Sequence, residues 1–167
     1  MRLRFLRLSA YALLLLALVP LARAQREAAP RFNAKTMSGE RFTNETIKGK
    51  VVLLQFWATW CQYCRGEQQI VDNLQNKFAD QGLVVLAVDV AESKKKVQNY
   101  LKENPRQCRI VLNDDTNLAA MFAAQRYPIY VLIDRDGYVA GQQNGAGGER
   151  ALKALLRRAG LEEKEEE

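Results

Sequence analysis

Histidine is absent from all 167 residues. That removes any Cys–His or Ser–His–Asp catalytic system and the usual His-containing zinc and copper sites. Cysteine is scarce: Cys61, Cys64 and Cys108 are the whole complement, too few for a disulfide scaffold. The odd count leaves at least one thiol free or only transiently paired. Basic excess is also smaller than the net charge of +6 implies. Arg2, Arg4, Arg7 and Arg23 fall in the first 24 residues, which hold no acid, and the remainder carries 21 basic residues against 19 acidic. A nearly neutral domain lacks the electrostatic footprint of nucleic-acid binding, so no nucleic acid is expected as a partner.

The longest apolar stretch lies at the N-terminus. A basic start, Met1 to Arg7, leads into about 14 mainly apolar residues from Leu8 to Leu21, then Ala22-Arg23-Ala24. This is the pattern of a secretory signal peptide over residues 1–24, cut between Ala24 and Gln25. No Cys follows the apolar run and no Arg-Arg pair precedes it, which argues against lipoprotein and twin-arginine signals. An uncleaved anchor is the alternative, although the run is short beside the roughly 20 residues of a membrane span. Either way the domain is expected in an oxidising compartment, the bacterial periplasm, with no stable span once cleaved.

The remaining chain reads as one domain, residues 25–160, followed by an acidic tail, 161–167, expected to be disordered. Ser38-Gly39 and Lys48-Gly49 mark turns, with Phe32 and Phe42 placed to pin a small hairpin. Val51 to Trp57 is a continuous apolar run, a buried strand. Ile70, Val71, Leu74 and Phe78 recur at helical spacing between Tyr63 and Asp80, with Gly82 as the stop. A second buried strand spans Leu83 to Val90, and Ser93 caps a helix ahead of Pro105. A short strand over Ile110 to Leu112 and a helix over Thr116 to Ala124 follow. Strands at Tyr130–Ile133 and Tyr138–Gly141 flank the turn at Asp134 to Gly137, and a terminal helix runs from Gly147 to Ala159. Alternating strands and helices that end in a hairpin and a helix predict an α/β sandwich with a mixed sheet.

Chemistry concentrates at Trp60-Cys61-Gln62-Tyr63-Cys64, where a buried strand meets a helix. A thiol at a helix start gains from free N–H groups and the helix dipole, which favour its thiolate. A second thiol within the first turn is close enough to bond to it. Together they supply the minimum for thiol–disulfide exchange, with Cys61 attacking and Cys64 resolving. A zinc half-site would need two further ligands, and only Cys108 remains. A purely structural disulfide would close so short a loop that it constrains the unfolded chain little. No metal and no cofactor are expected.

Val51 through Glu67, with Phe56-Trp57-Ala58-Thr59-Trp60-Cys61-x-x-Cys64, resembles the active-site segment of the thioredoxin superfamily. Glu67, and Tyr127-Pro128 followed by Val131-Leu132-Ile133-Asp134-x-x-Gly137, resemble its exported TlpA/ResA-like branch over roughly residues 28–160. The resemblance implies a thioredoxin fold: a central mixed β-sheet flanked by helices, with an N-terminal hairpin extension and a helical insertion from residues 91–124. It implies that Pro128 follows a cis bond and lies against the cysteines. It also implies a reductant of disulfides in exported client proteins, as in cytochrome c maturation, recharged by a membrane electron donor. Three positions depart from the family pattern: Tyr63 and Gln69 replace prolines, and Ile129 replaces the Thr after the cis-proline. Because residues between the cysteines tune redox potential, a disulfide oxidase or isomerase on the same fold stays a rival. A redox-inactive binding module is a second, and a peroxidase a third that lacks its Pro-rich loop.

Gln55 stands where cytoplasmic thioredoxins carry a buried Asp. Glu67, one turn past Cys64, has two readings: acceptor of the Cys64 proton, or a first-turn acid that complements the dipole. Trp57 and Trp60 are packing residues first, with Trp60 also shaping a docking surface. Arg65 reads as a solvated side chain and Cys108 as a small buried hydrophobe.

Overall fold

A computed structural model describes residues 26–163. The signal peptide expected over 1–24 and the last four residues of the tail lie outside the described residues. Seven strands form one sheet: β1 (Asn33–Thr36), β2 (Arg41–Thr43), β3 (Val51–Trp57), β4 (Leu83–Asp89), β5 (Arg109–Thr116), β6 (Ile129–Ile133) and β7 (Val139–Asn144). Their order is β2-β1-β5-β4-β3-β6-β7. β3 and β5 run parallel to β4, whereas β6 is antiparallel to β3, and β1 to β5. The hairpins β1–β2 and β6–β7 close the two edges.

Every residue of β3, β4 and β6 is buried, in keeping with their predominantly apolar runs and with strands covered on both faces. The helices are α1 (Gln62–Lys77), α2 (Lys94–Glu103), α3 (Leu118–Met121) and α4 (Gly148–Arg157). Helix α1 buries Val71 and Leu74, and α4 buries Leu152, Leu155 and Leu156. A 3-10 turn (Ala79–Gln81) follows α1, and Gly82 ends it in the left-handed region at φ 85°, where glycine carries no steric penalty. None of the described helices is long and apolar enough to cross a membrane.

Several boundaries differ from the sequence expectation, among them β7, which runs to Asn144 instead of ending at Gly141. β5 extends to Thr116 instead of ending at Leu112, because Ala34 and Thr36 of β1 pair with Thr116 and Val111 across a register shift. Its polar half, Asn113 to Thr116, is therefore held by backbone pairing, which apolar patterning does not report. Helix α3 shrinks to one turn, since Thr116 is taken by the sheet and Ala123 adopts a positive φ of 46° just past its end. Leu161 packs into the core at 1% exposure and Glu163 pairs with Lys77 and Lys153. Ordered packing thus runs past residue 160, where the tail was expected to begin.

Candidate active site

β3 ends at Trp57, and Ala58 to Trp60 carry the chain from the C-terminal end of this interior strand to α1. Cys61 is the N-cap of that helix, and its Sγ accepts the backbone N–H of Cys64 at 3.1 Å. The cap sulfur thus takes one of the free donors that every helix start presents. Cys61 and Cys64 are disulfide-bonded, with Cα atoms 5.2 Å apart. Cys61 keeps 5% of its surface exposed and Cys64 none. The pair therefore has an outer and an inner sulfur. Trp60, 61% exposed, and Tyr63 flank it as large apolar side chains in solvent.

The bond between Tyr127 and Pro128 is cis, and Pro128 is buried at the entry to β6. Tyr127 brings this loop to the cysteine loop: its ring meets that of Trp60 edge-on, centroids 6.1 Å apart. The Pro128 carbonyl accepts from the N–H of Gly145 at 2.8 Å. A shallow groove lined by Val90, Ala91, Ala120, Ala123 and Tyr127 runs alongside.

Glu67 lies inside the protein with both oxygens occupied. Oε1 accepts the N–H groups of Gly147 and Gly148 at 3.0 and 2.6 Å, and Oε2 accepts the Tyr130 hydroxyl at 2.7 Å. The carboxylate therefore sits on the N-terminus of α4, the positive end of its dipole. Close approach demands glycine there. A Cβ on Gly147 would meet Gln143 at 2.7 Å and Ala151 at 2.8 Å, and Gly148 holds φ at 72°.

Tyr130 extends this contact into a buried chain. Its hydroxyl also accepts from Gln55 Nε2 at 3.2 Å, and Arg106 Nη2 donates to Gln55 Oε1 at 3.1 Å. Arg106 Nε reaches Asp72 of α1 at 3.0 Å, and the guanidinium lies 5.6 Å from the Trp57 ring centroid. Only 1% of the Arg106 side chain is exposed. Burial raises the Tyr130 phenol well above its ordinary value, and the bond to Glu67 adds to this. Cys108, beside this network, is buried, and burial pushes its thiol up to about 12.

Cys61, Cys64, Trp60 and the Pro128 loop thus converge at one end of the sheet. Glu67 lies on the same helix but is directed to the start of α4. Sequence reasoning missed Arg106 and Asp72, whose contact joins the loop after α2 to α1. It also missed Asp89, the one charged residue in the buried run from Leu83 to Val90.

Residues 24–156 match the Redoxin family. The chain belongs to that family. It is 36% identical over 132 residues to the thioredoxin-like protein YneN of Bacillus subtilis, covering 78% of this chain and 77% of that protein. It is 28% identical over 130 residues to the thiol-disulfide oxidoreductase ResA of Bacillus cereus, covering 78% and 75%. Among solved structures it is similar to a thiol:disulfide interchange protein of the thioredoxin family from Chlorobium tepidum. That likeness has a TM-score of 0.72 at 26% identity and covers 83% of this chain and 99% of that one. The architecture is the thioredoxin fold, as the resemblance implied. With its bonded Cys61–Cys64 pair, this Redoxin-family chain is a thiol-disulfide oxidoreductase of the ResA and DsbE type.

Proposed function

We propose that this protein reduces disulfides of exported client proteins, Cys61 being the attacking sulfur and Cys64 the resolving one. One observation carries the assignment: Cys61 caps α1 and retains the only exposure of the pair, while Cys64 has none. In the dithiol form the Cys61 thiolate, favoured at the helix start, attacks a client disulfide. One client sulfur leaves as a thiolate and a mixed disulfide joins Cys61 to the other. Cys64 then loses its proton and attacks Cys61 Sγ, releasing the second client sulfur and forming the Cys61–Cys64 disulfide. Two electrons pass to the client, which takes up two protons as it becomes a dithiol.

Pro128 shapes the surface that meets the client, and the exposed rings of Trp60 and Tyr63 widen its apolar area. Glu67 serves first as the anchor between α1 and α4, since both its oxygens are already engaged. The compartment is the periplasm, by the signal-peptide pattern, and a membrane electron donor returns the protein to its dithiol form. Clients in cytochrome c maturation fit this reading through the family resemblance.

Trapping tests it. Cys64→Ser should accumulate thiol-sensitive covalent adducts with exported proteins through Cys61, and Cys61→Ser none. Absence of adducts from the first variant sinks the exchange mechanism. A reduction potential above roughly −180 mV would instead assign an oxidase or isomerase.

A further inference from the structure

Asp89 ends β4, in register with Trp57 of β3 and Leu112 of β5. It has no exposed surface, and neither carboxyl oxygen meets a donor. An ionised carboxylate so placed is strongly disfavoured, and the group holds a proton instead. Ala91 then takes φ 62° and turns the chain back. This brings Glu92, whose side chain is 3% exposed, over the end of β3. Glu92 accepts the Thr59 N–H at 2.6 Å and the Thr59 hydroxyl at 2.7 Å, and pairs with Lys96 at 2.6 Å. Thr59 stands two residues before Cys61.

Asp89 and Glu92 are near enough for each to act on the other's proton affinity. Two carboxylates cannot bond, but a protonated and an ionised one can. Burial, and then Glu92, push Asp89 up to about 8. Glu92 is itself penalised by burial, yet bonds from Lys96, Thr59 and Asp89 hold it below the ordinary carboxylate range.

We propose that Glu92 is a positioning residue for the redox loop, gripping Thr59 in an arrangement that depends on a proton kept by Asp89. Loss of that proton sets two buried negative charges against each other and loosens the hold on Thr59. The groups facing the pair are few. Lys96 and Tyr100 come from α2, the first on Glu92 and the second packed on Trp57. Tyr127 comes from the loop before β6, its phenol raised by burial and then by Asp89. Arg106 lies over the Trp57 ring with its Nε committed to Asp72 of α1. From β5 the partner is apolar Leu112.

The inference rests on the Cys61 loop being the reacting loop, but its test reads Thr59 directly and so stands or falls apart from client reduction. The oxidised protein is used, because neither cysteine then titrates. In wild type the Thr59 amide resonance should shift with a midpoint near pH 8, the value to which Asp89 is raised. In Asp89→Asn, whose amide retains a donor for Glu92, it should stay flat. Glu92→Gln should speed Thr59 amide exchange by at least about tenfold through loss of a charge-assisted acceptor. A Thr59 amide that titrates equally in Asp89→Asn, or fails to titrate in wild type, overturns the proposal. Unchanged exchange in Glu92→Gln does so as well.

Discussion

Glu67 of the first helix accepts the backbone N–H of Gly148, at the start of the last helix, at 2.6 Å. Eighty-one positions separate the two residues in the chain. This bond and its companions fix one end of the cysteine-bearing helix to the helix that closes the domain.

Replacing Glu67 by Gln keeps the shape but removes the charge and one acceptor oxygen. Charge-assisted bonds contribute about 1.5–3 kcal/mol each, and a buried donor left unmet is expensive. Glu67→Gln should therefore lower the urea midpoint by an amount equivalent to about 2 kcal/mol, at unchanged denaturant slope. An unaltered midpoint would mean that the α4 contact contributes nothing.

Arg106 and Asp72 form a buried ion pair at 3.0 Å. Removing one partner leaves the other as an uncompensated charge. Arg106→Met should therefore cost about 3–5 kcal/mol, whereas Arg106→Met combined with Asp72→Leu should recover most of the loss. A double-mutant cycle by chemical denaturation measures this, and simple additivity would contradict it.

With its thiol pushed up to about 12 by burial, Cys108 has almost no thiolate at neutral pH. Iodoacetamide applied to the reduced native protein should label Cys61 and spare Cys108. Denaturant should make Cys108 reactive, as mass spectrometry of peptides can read. Rapid native labelling of Cys108 would show that this part of the core opens readily.

The proton on Asp89 also links folding to pH. Asp89 is raised from 3.8 to about 8 in the folded protein. Between those values the native state holds a proton that the unfolded chain has released, so stability falls as pH rises through this window. Asp89→Asn lacks the linkage. Its stability relative to wild type should climb by up to about 1.4 kcal/mol per pH unit from about pH 4 to about pH 8, then level off. Parallel stability curves for the two proteins would refute the buried proton.

Much of this architecture is legible in the sequence because β3, β4 and β6 are almost wholly apolar, and strands buried on both faces leave that signature. The cysteine pair is equally legible, lying where such a strand meets a helical repeat. The polar half of β5 is not, because its extended form comes from pairing with β1, some eighty residues earlier in the chain. Nor is the position of Glu67, whose partners at Gly147 and Tyr130 are supplied by the fold. Arg106 carries no sign of burial in the sequence, and its place beside the Trp57 ring comes from the fold. Asp89 differs, since a lone acid in a buried strand is itself a signal of a held proton or a hidden partner.

The burial of Leu161 sets a practical limit on how the chain can be shortened. Leu161 shares a surface pocket with Phe78, and its N–H returns to the Leu156 carbonyl at 3.3 Å. A protein trimmed at residue 160 would present the Phe78 ring to solvent and lose the two lysine contacts of Glu163 as well. Affinity tags and fusion partners therefore belong beyond Glu163.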